Sequence, residues 1–426
     1  MTQGKWDCQG GTLGSTTRRR FLKDAAALAA TVPALAGAEV GPNMSATAAS
    51  PILAYVGTYS SPQGPEGAQG RGQGIYLFEM NPITGVLNQS ALFPNDRNPA
   101  CLALDPSHTH VYSANEVSGF QGTDSGSISS YAIDGPTGHL TLLNVVSSEG
   151  AGGPAYISIH PSGKFALAAN YRGGTVAVFP IRANGELGPA ADVVENKGSV
   201  GPEHAVDAPQ GSFAISGHDH PHAHMIQSDP AGRFVFSPDL GLDRIFIWKF
   251  DADAGKLIPN DPPSLALPPG DGPRHFAFHP NGRWFYSIQE EASTLVACDY
   301  DAKNGRLTPK QTVSTLPTGF TGTNYTSGLM TSADGTILYA ANRLHDSIAW
   351  FTIDPTTGTL IFAGEEWTRG DYPRTFNVDP TGNFLYSCNQ RADNITAFRI
   401  DRRTGALTFT GQYTPAGTPA MIIFLT

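Results

Sequence analysis

Between His218 and Glu290 the chain gathers side chains that can move protons and hold anions. The segment opens His218-Asp219-His220-Pro221-His222-Ala223-His224, passes through Asp239, and closes on Gly272-Pro273-Arg274-His275 and Gln289-Glu290. Only 15% of the chain is charged, so this density of histidine, arginine and glutamate is local. A histidine or glutamate can act as a base, and an arginine can stabilise a developing negative charge or clamp a carboxylate or phosphate. The stretch is read as two successive copies of one structural unit that bring these side chains to a common site.

The histidines at 218, 220, 222 and 224 alternate, so in an extended chain they project to one side and could bind zinc. Pro221 and the glycines nearby favour a loop instead, and neither an H-E-x-x-H motif nor a cysteine pair accompanies them. No metal and no cofactor is therefore expected.

Such residues need elements to hold them. Short runs rich in Val, Ile, Phe, Tyr and Thr recur between Gly, Pro and Asp turns, with no sustained helical periodicity, which reads as successive antiparallel strands. A hairpin tip, Gly-x-Leu, returns seven times, at Gly85, Gly138, Gly185, Gly255, Gly305, Gly358 and Gly405, at intervals of 53, 47, 70, 50, 53 and 47 residues. That beat of about fifty residues is the length of a propeller blade. A second marker keeps it: Asp105-Pro106, His160-Pro161, Asp229-Pro230, His279-Pro280, Ser332-Ala333 and Asp379-Pro380 each open a polar turn and a β-rich run. Those runs end on Asn115-Glu116, Asn170-Tyr171, Pro238-Asp239, Gln289-Glu290, Asn342-Arg343 and Asn389-Gln390. Tyr55 to Tyr59 begins as a strand with no partner before it, and Thr418 to Phe424 ends as one with nothing after it. Pairing the two closes the ring and removes its edge. The fold expected is all-β: a seven-bladed β-propeller of four-stranded antiparallel blades over residues 52–426, closed by the N- and C-terminal strands. The interval of 70 leaves about twenty extra residues near Asn196 to His222, an insertion expected to rim the site.

In a propeller, function needs equivalent positions of several repeats to carry unusual residues. Pro373-Arg374 stands in one repeat where Pro273-Arg274 stands in another, and Arg343 ends one run where Glu290 ends another. Charges placed so must be paired or occupied by a ligand.

The net charge of -10 and the absence of a basic stripe exclude a polyanion partner such as nucleic acid. Arg18-Arg19-Arg20-Phe21-Leu22-Lys23 followed by the alanine-rich run Ala25 to Ala36 reads as a twin-arginine (Tat) export signal over residues 1–38, with a linker at 39–51. The run is too short to span a bilayer permanently, so the expected partner in transit is the Tat machinery, with no stable membrane insertion after cleavage and a periplasmic or extracellular destination. Cys101, Cys298 and Cys388 fall in unrelated repeats, and no disulfide framework is expected.

Several stretches together resemble the lactonase family of seven-bladed propellers, which includes the propeller-type bacterial 6-phosphogluconolactonase and the fungal carboxy-cis,cis-muconate cyclising enzyme. They are Tyr55-Val56-Gly57-Thr58-Tyr59, Ala169-Asn170-Tyr171, Pro221-His222-Ala223-His224, Asp239 to Arg244, Gly272-Pro273-Arg274-His275, Ala341 to Ile348 and Tyr372 to Phe376. The resemblance implies a channel site of one histidine, two arginines and a glutamate. Carried over by motif, these are His224, Arg274, Arg343 and Glu290, the glutamate chosen over Glu291 because it takes the run-end slot of Glu116, Asp239 and Arg343. Substrate contacts are expected from Glu116, Asn170, Tyr171, Asp239, His275 and Arg374. The implied activity is hydrolysis of a small-molecule lactone such as 6-phosphogluconolactone or glucono-lactone, with a lactone-forming muconate cyclase or a non-catalytic binding propeller as alternatives. Each residue also has a structural reading: His224 satisfied by backbone, Arg274 and Glu290 as an inter-blade ion pair, Arg343 as a turn holder.

Overall fold

The computed structural model of the protein describes residues 51–64, 69–215 and 217–425; the expected export signal and, Pro51 apart, the linker lie outside them. The described chain forms seven four-stranded antiparallel sheets in chain order around an axis, the propeller that the repeat predicts. Blade 1 is assembled from both ends of the chain, with Pro419–Leu425 as its innermost strand, followed outward by Ile52–Thr58, Gly74–Met80 and Leu87–Pro94. Tyr55 pairs with Ile423 across this closure. Blades 2 to 7 begin, at the axis, with Pro99–Leu104, Pro154–Ile159, Gln227–Ser228, Pro273–Phe278, Thr326–Thr331 and Pro373–Val378.

The second strand of each blade is covered by neighbouring blades on both faces, so it reads as a continuous apolar run rather than an alternating one. Phe165–Asn170, Phe234–Asp239, Trp284–Gln289, Ile337–Asn342 and Phe384–Asn389 are buried at every position. The core is correspondingly a set of clusters between adjacent blades; Trp284, Tyr286, Leu338 and Phe351 share one of them. Cys101, Cys298 and Cys388 are buried, free thiols in separate clusters.

The Gly-x-Leu tips join the third and fourth strands, and their glycines hold positive φ, 71° at Gly358. There a Cβ would fall 2.1 Å from the Trp284 ring of the preceding blade. The tip carbonyls are also latched: Tyr112, Tyr286, Tyr339 and Tyr386 donate their hydroxyls to Gly185, Gly358, Gly405 and Gly85 of the next blade, at 3.0, 2.9, 2.9 and 2.8 Å. Tyr55 makes the same bond to Gly138 at 2.7 Å.

Candidate active site at the channel mouth

Strand register explains how the charged side chains reach the axis. In six of the seven blades the innermost strand carries an extra residue just after its first pairing residue, a β-bulge that turns one side chain out of the alternating pattern. In blade 5, Pro273 pairs with Gln289 and His275 with Ile288, leaving Arg274 in the bulge. Arg374 occupies the same place in blade 7, and Ala100, Ala155 and Ala420 occupy it in blades 2, 3 and 1. In blade 6 the shift falls between Thr326 and Leu329, around Ser327. In blade 4 the insertion cuts the innermost strand to two residues, but a bridge from Ala223 to Asp239 continues its register and puts His224 in the slot.

A second set of equivalent positions lies where the second strand exits. The backbone N–H of Glu116, Tyr171, Leu240, Glu290, Arg343 and Gln390 donates to the carbonyl of Asn98, Gly153, His222, Gly272, Tyr325 and Tyr372 respectively, and Tyr59 makes the same bond to Thr418. The site is therefore drawn from two sets of seven slots, one on the bulges and one on the strand exits. This register corrects the sequence reading of blade 4. Asp239 pairs with Arg244 as Gln289 pairs with Thr294, so Leu240, not Asp239, takes the slot of Glu290.

The slots bring the four expected residues and several neighbours together. Glu290 is held between two guanidiniums, Arg274 Nε and Arg343 Nη2, each 2.7 Å from one carboxylate oxygen, and all three side chains are buried. Arg274 Nη1 also donates to the Ser327 carbonyl at 2.6 Å. Arg343 lies between the rings of Tyr325 and Tyr372, 5.4 and 5.1 Å from their centroids, and its Nη1 donates to the Tyr372 hydroxyl. A second pair spans blades 7 and 2 across blade 1: Arg374 Nη2 is 3.4 Å from Glu116 Oε2, which accepts a 2.6 Å hydrogen bond from Tyr59. Arg374 also stacks 5.2 Å over the Tyr59 ring. Three guanidiniums face two carboxylates, leaving the cluster one net positive charge.

The histidines beside this cluster are kept neutral. His224 is buried with Nδ1 lacking a hydrogen-bond partner among the described residues, and its ring lies 5.0 Å from that of His275 and 5.4 Å from that of Tyr171. Burial, then the charge of Arg274, holds the His224 and His275 imidazoliums well below the usual histidine range. Arg274 can only donate, so its 3.4 Å contact with His275 Nε2 makes that nitrogen an acceptor. Burial and the like charge of Arg343 bring Arg274 itself down to about 10.

Two expected contact residues are committed to the scaffold. Asn170 donates to the Ser148 and Glu149 carbonyls and to Thr175. Asp239 accepts the backbone N–H groups of His222 and Leu242 and the amide of Asn196, which ties both ends of the insertion to blade 4. The insertion then crosses the mouth: Ile215 exchanges hydrogen bonds with the Tyr325 hydroxyl, and Phe213 N–H donates to Thr323. It therefore reaches the ring that flanks Arg343, in line with its expected place on the rim. His218, at its end, is clamped between Asp243 at 3.1 Å and Glu291 at 2.9 Å. Burial alone would lower its pKa, but the two carboxylates raise it to about 10. Sequence reasoning passed over Tyr59, Tyr325 and Tyr372. Tyr59 shares its slot with Glu290, a signal open to anyone aligning the repeats, whereas Tyr325 and Tyr372 precede the bulges by two residues and carry no unusual charge.

Comparison with known proteins agrees with the architecture. A family model described as "Lactonase, 7-bladed beta-propeller" matches residues 53–424. A 6-phosphogluconolactonase of Bacillus subtilis is 32% identical over 329 residues, 77% of this chain and 85% of the relative. A 6-phosphogluconolactonase of Formosa agariphila is 32% identical over 314 residues, 73% of this chain and 83% of the relative. The solved periplasmic gluconolactonase of Pseudomonas aeruginosa superposes with a TM-score of 0.79 at 29% identity, covering 88% of this chain and 99% of its own.

Proposed function

Because the chain belongs to the lactonase family of seven-bladed β-propellers, we propose that it hydrolyses a sugar lactone to the aldonic acid, in the manner of a 6-phosphogluconolactonase. The observation that carries this reading is the cationic cluster at the channel mouth, two arginines on one glutamate, next to a buried neutral histidine with a free ring nitrogen. In hydrolysis, water adds to the lactone carbonyl and gives up a proton. His224, neutral at working pH, is the base for that proton. Glu290 suits the task less, because two guanidiniums stabilise its charged form. Arg274 and Arg343 stabilise the oxyanion, and collapse breaks the acyl–oxygen bond. The proton then passes from His224 to the ring oxygen, which leaves as the sugar hydroxyl. The net positive charge also suits a phosphorylated lactone or an acid product, with Arg374, Glu116 and Tyr59 as the groups placed to contact the sugar.

Similarity to a periplasmic gluconolactonase supports the further proposal that the twin-arginine segment exports the chain, which would give it unphosphorylated lactones to act on. Among the described residues no helix is long and apolar enough to cross a membrane. The test is a panel of phosphorylated and free aldonolactones, with acid release followed by pH-stat above the spontaneous rate. Turnover of at least one, lost roughly a hundredfold or more in Arg274→Ala, is the expected result. Turnover of none, or an Arg274→Ala variant as fast as the parent, would remove the reading and leave a binding propeller.

A further inference from the structure

The stretch Asp219-His220-Pro221-His222 lies outside the arginine–glutamate cluster, and its geometry is that of ligands around a cation. His220 Nε2 sits 3.0 Å from the Arg172 carbonyl, and His222 Nδ1 sits 2.9 Å from the Tyr171 carbonyl. A carbonyl oxygen only accepts, so these two nitrogens carry the hydrogens and both tautomers are fixed. The remaining ring nitrogens, His220 Nδ1 and His222 Nε2, turn to the two oxygens of the same carboxylate, Asp219, at 3.0 and 2.7 Å. In neutral imidazoles each of those nitrogens presents a lone pair to a carboxylate oxygen, which is repulsive. The two rings also crowd this one carboxylate, their centroids 4.0 Å apart. A single divalent cation among the three atoms satisfies both lone pairs and the carboxylate at once.

We propose that Asp219, His220 and His222 form a binding site for a divalent transition-metal ion such as zinc, contrary to the expectation from motifs alone. The three ligand atoms lie within 4.8 Å of one another. Ligands about 2.0–2.2 Å from such an ion stand about 3–3.5 Å apart, so the site closes on it with small adjustments. The donation of each outer ring N–H to a backbone carbonyl is the support that metal-bound histidines have. His222 is further held by stacking on Tyr171, 4.3 Å between centroids, and the insertion is pressed onto blade 3 where a Cβ on Gly174 would fall 2.5 Å from Pro221. Asp219 is exposed and His220 half-buried, so further coordination positions are open to water. The ion would pin the insertion to the turn of blade 3, and this role does not depend on what the channel hydrolyses.

Titration calorimetry of the chelator-treated chain with Zn2+ tests the site, with Co2+ absorption as a second readout of coordination. One equivalent is expected to bind and to raise the melting temperature, since a ligand held only by the folded state stabilises it. His220→Ala and Asp219→Asn are expected to weaken binding by roughly tenfold or more. Asp219 is exposed and His220 half-buried, and unchanged melting of the metal-free variants checks that they fold. His204→Ala, an exposed histidine elsewhere in the insertion, is expected to bind as the parent does. Absence of saturable binding, or binding that His220→Ala and Asp219→Asn leave intact, would overturn the proposal.

Discussion

At the scale of single residues, Glu290 is the hinge of the site, because it makes two buried guanidiniums compatible with each other. Replacing it by Gln removes the carboxylate that bridges Arg274 and Arg343, so Glu290→Gln is expected to lose about 3–5 kcal/mol of stability. A denaturant titration compared with that of Glu116→Gln checks this. Glu116 holds one arginine at 3.4 Å and is expected to cost less. His224 makes a separate prediction about rate. Its folded pKa is depressed below 6.5, so the neutral, basic form persists on acidification until that lower value is reached. The acid limb of kcat/KM is therefore expected below pH 6.5, and a limb centred above it would assign the base elsewhere. His224, Arg274, Glu290 and Arg343 were legible as a set because the family resemblance carries them by motif. Asp239 was misplaced because a polar run-end looks the same whether its side chain faces the axis or its own turn. Only the pairing register separates the two.

The insertion between blades 3 and 4 depends on one ionised clamp. His218 has a folded pKa near 10 against an ordinary 6.5, so its ion pairs with Asp243 and Glu291 stabilise the fold fully below pH 6.5 and are lost as pH rises through 10. Asp271 acts in the same direction. It is buried with neither carboxyl oxygen hydrogen-bonded among the described residues, and burial followed by the charges of Asp207 and Asp243 raises it to about 8. Its contribution is thus lost between pH 3.8 and 8. Thermal unfolding followed by circular dichroism is expected to show a falling melting temperature between pH 6.5 and 10, with His218→Gln less stable at pH 6.5 and flatter above it. A parent whose stability is level across that window would show that the clamp is not ionised. The sequence disclosed the insertion through the long interval and the strands through their apolar runs. The bulges stayed hidden, since one extra residue leaves no mark in composition, yet they decide which side chain of each innermost strand faces the channel.

One contact, a tip glycine against a side chain of the preceding blade, recurs at every blade boundary, which is why seven Gly-x-Leu tips sufficed to count the blades. Each tip needs glycine for two separable reasons, the left-handed turn and the aromatic or aliphatic side chain of the preceding blade pressed against it. Gly358 has both, with φ of 71° and Trp284 at 2.1 Å from a would-be Cβ. Gly411 has φ of 83° and open space around it. Gly411→Ala is therefore expected to cost the backbone term alone, about 1–2 kcal/mol. Gly358→Ala adds overpacking at the blade interface, a further 1–3 kcal/mol or so. The Tyr386 hydroxyl on Gly85 joins residues 301 apart, whereas Tyr286 on Gly358 joins residues 72 apart. In a closed ring both bonds cross one blade boundary between elements already in place. Tyr386→Phe and Tyr286→Phe are accordingly expected to lose a similar amount, about 1 kcal/mol each. Equilibrium unfolding of the four variants measures these differences. A Tyr386→Phe variant several-fold more damaging than Tyr286→Phe would mean that the boundary where the chain ends meet is a weak seam, not equivalent to the boundary between blades 5 and 6.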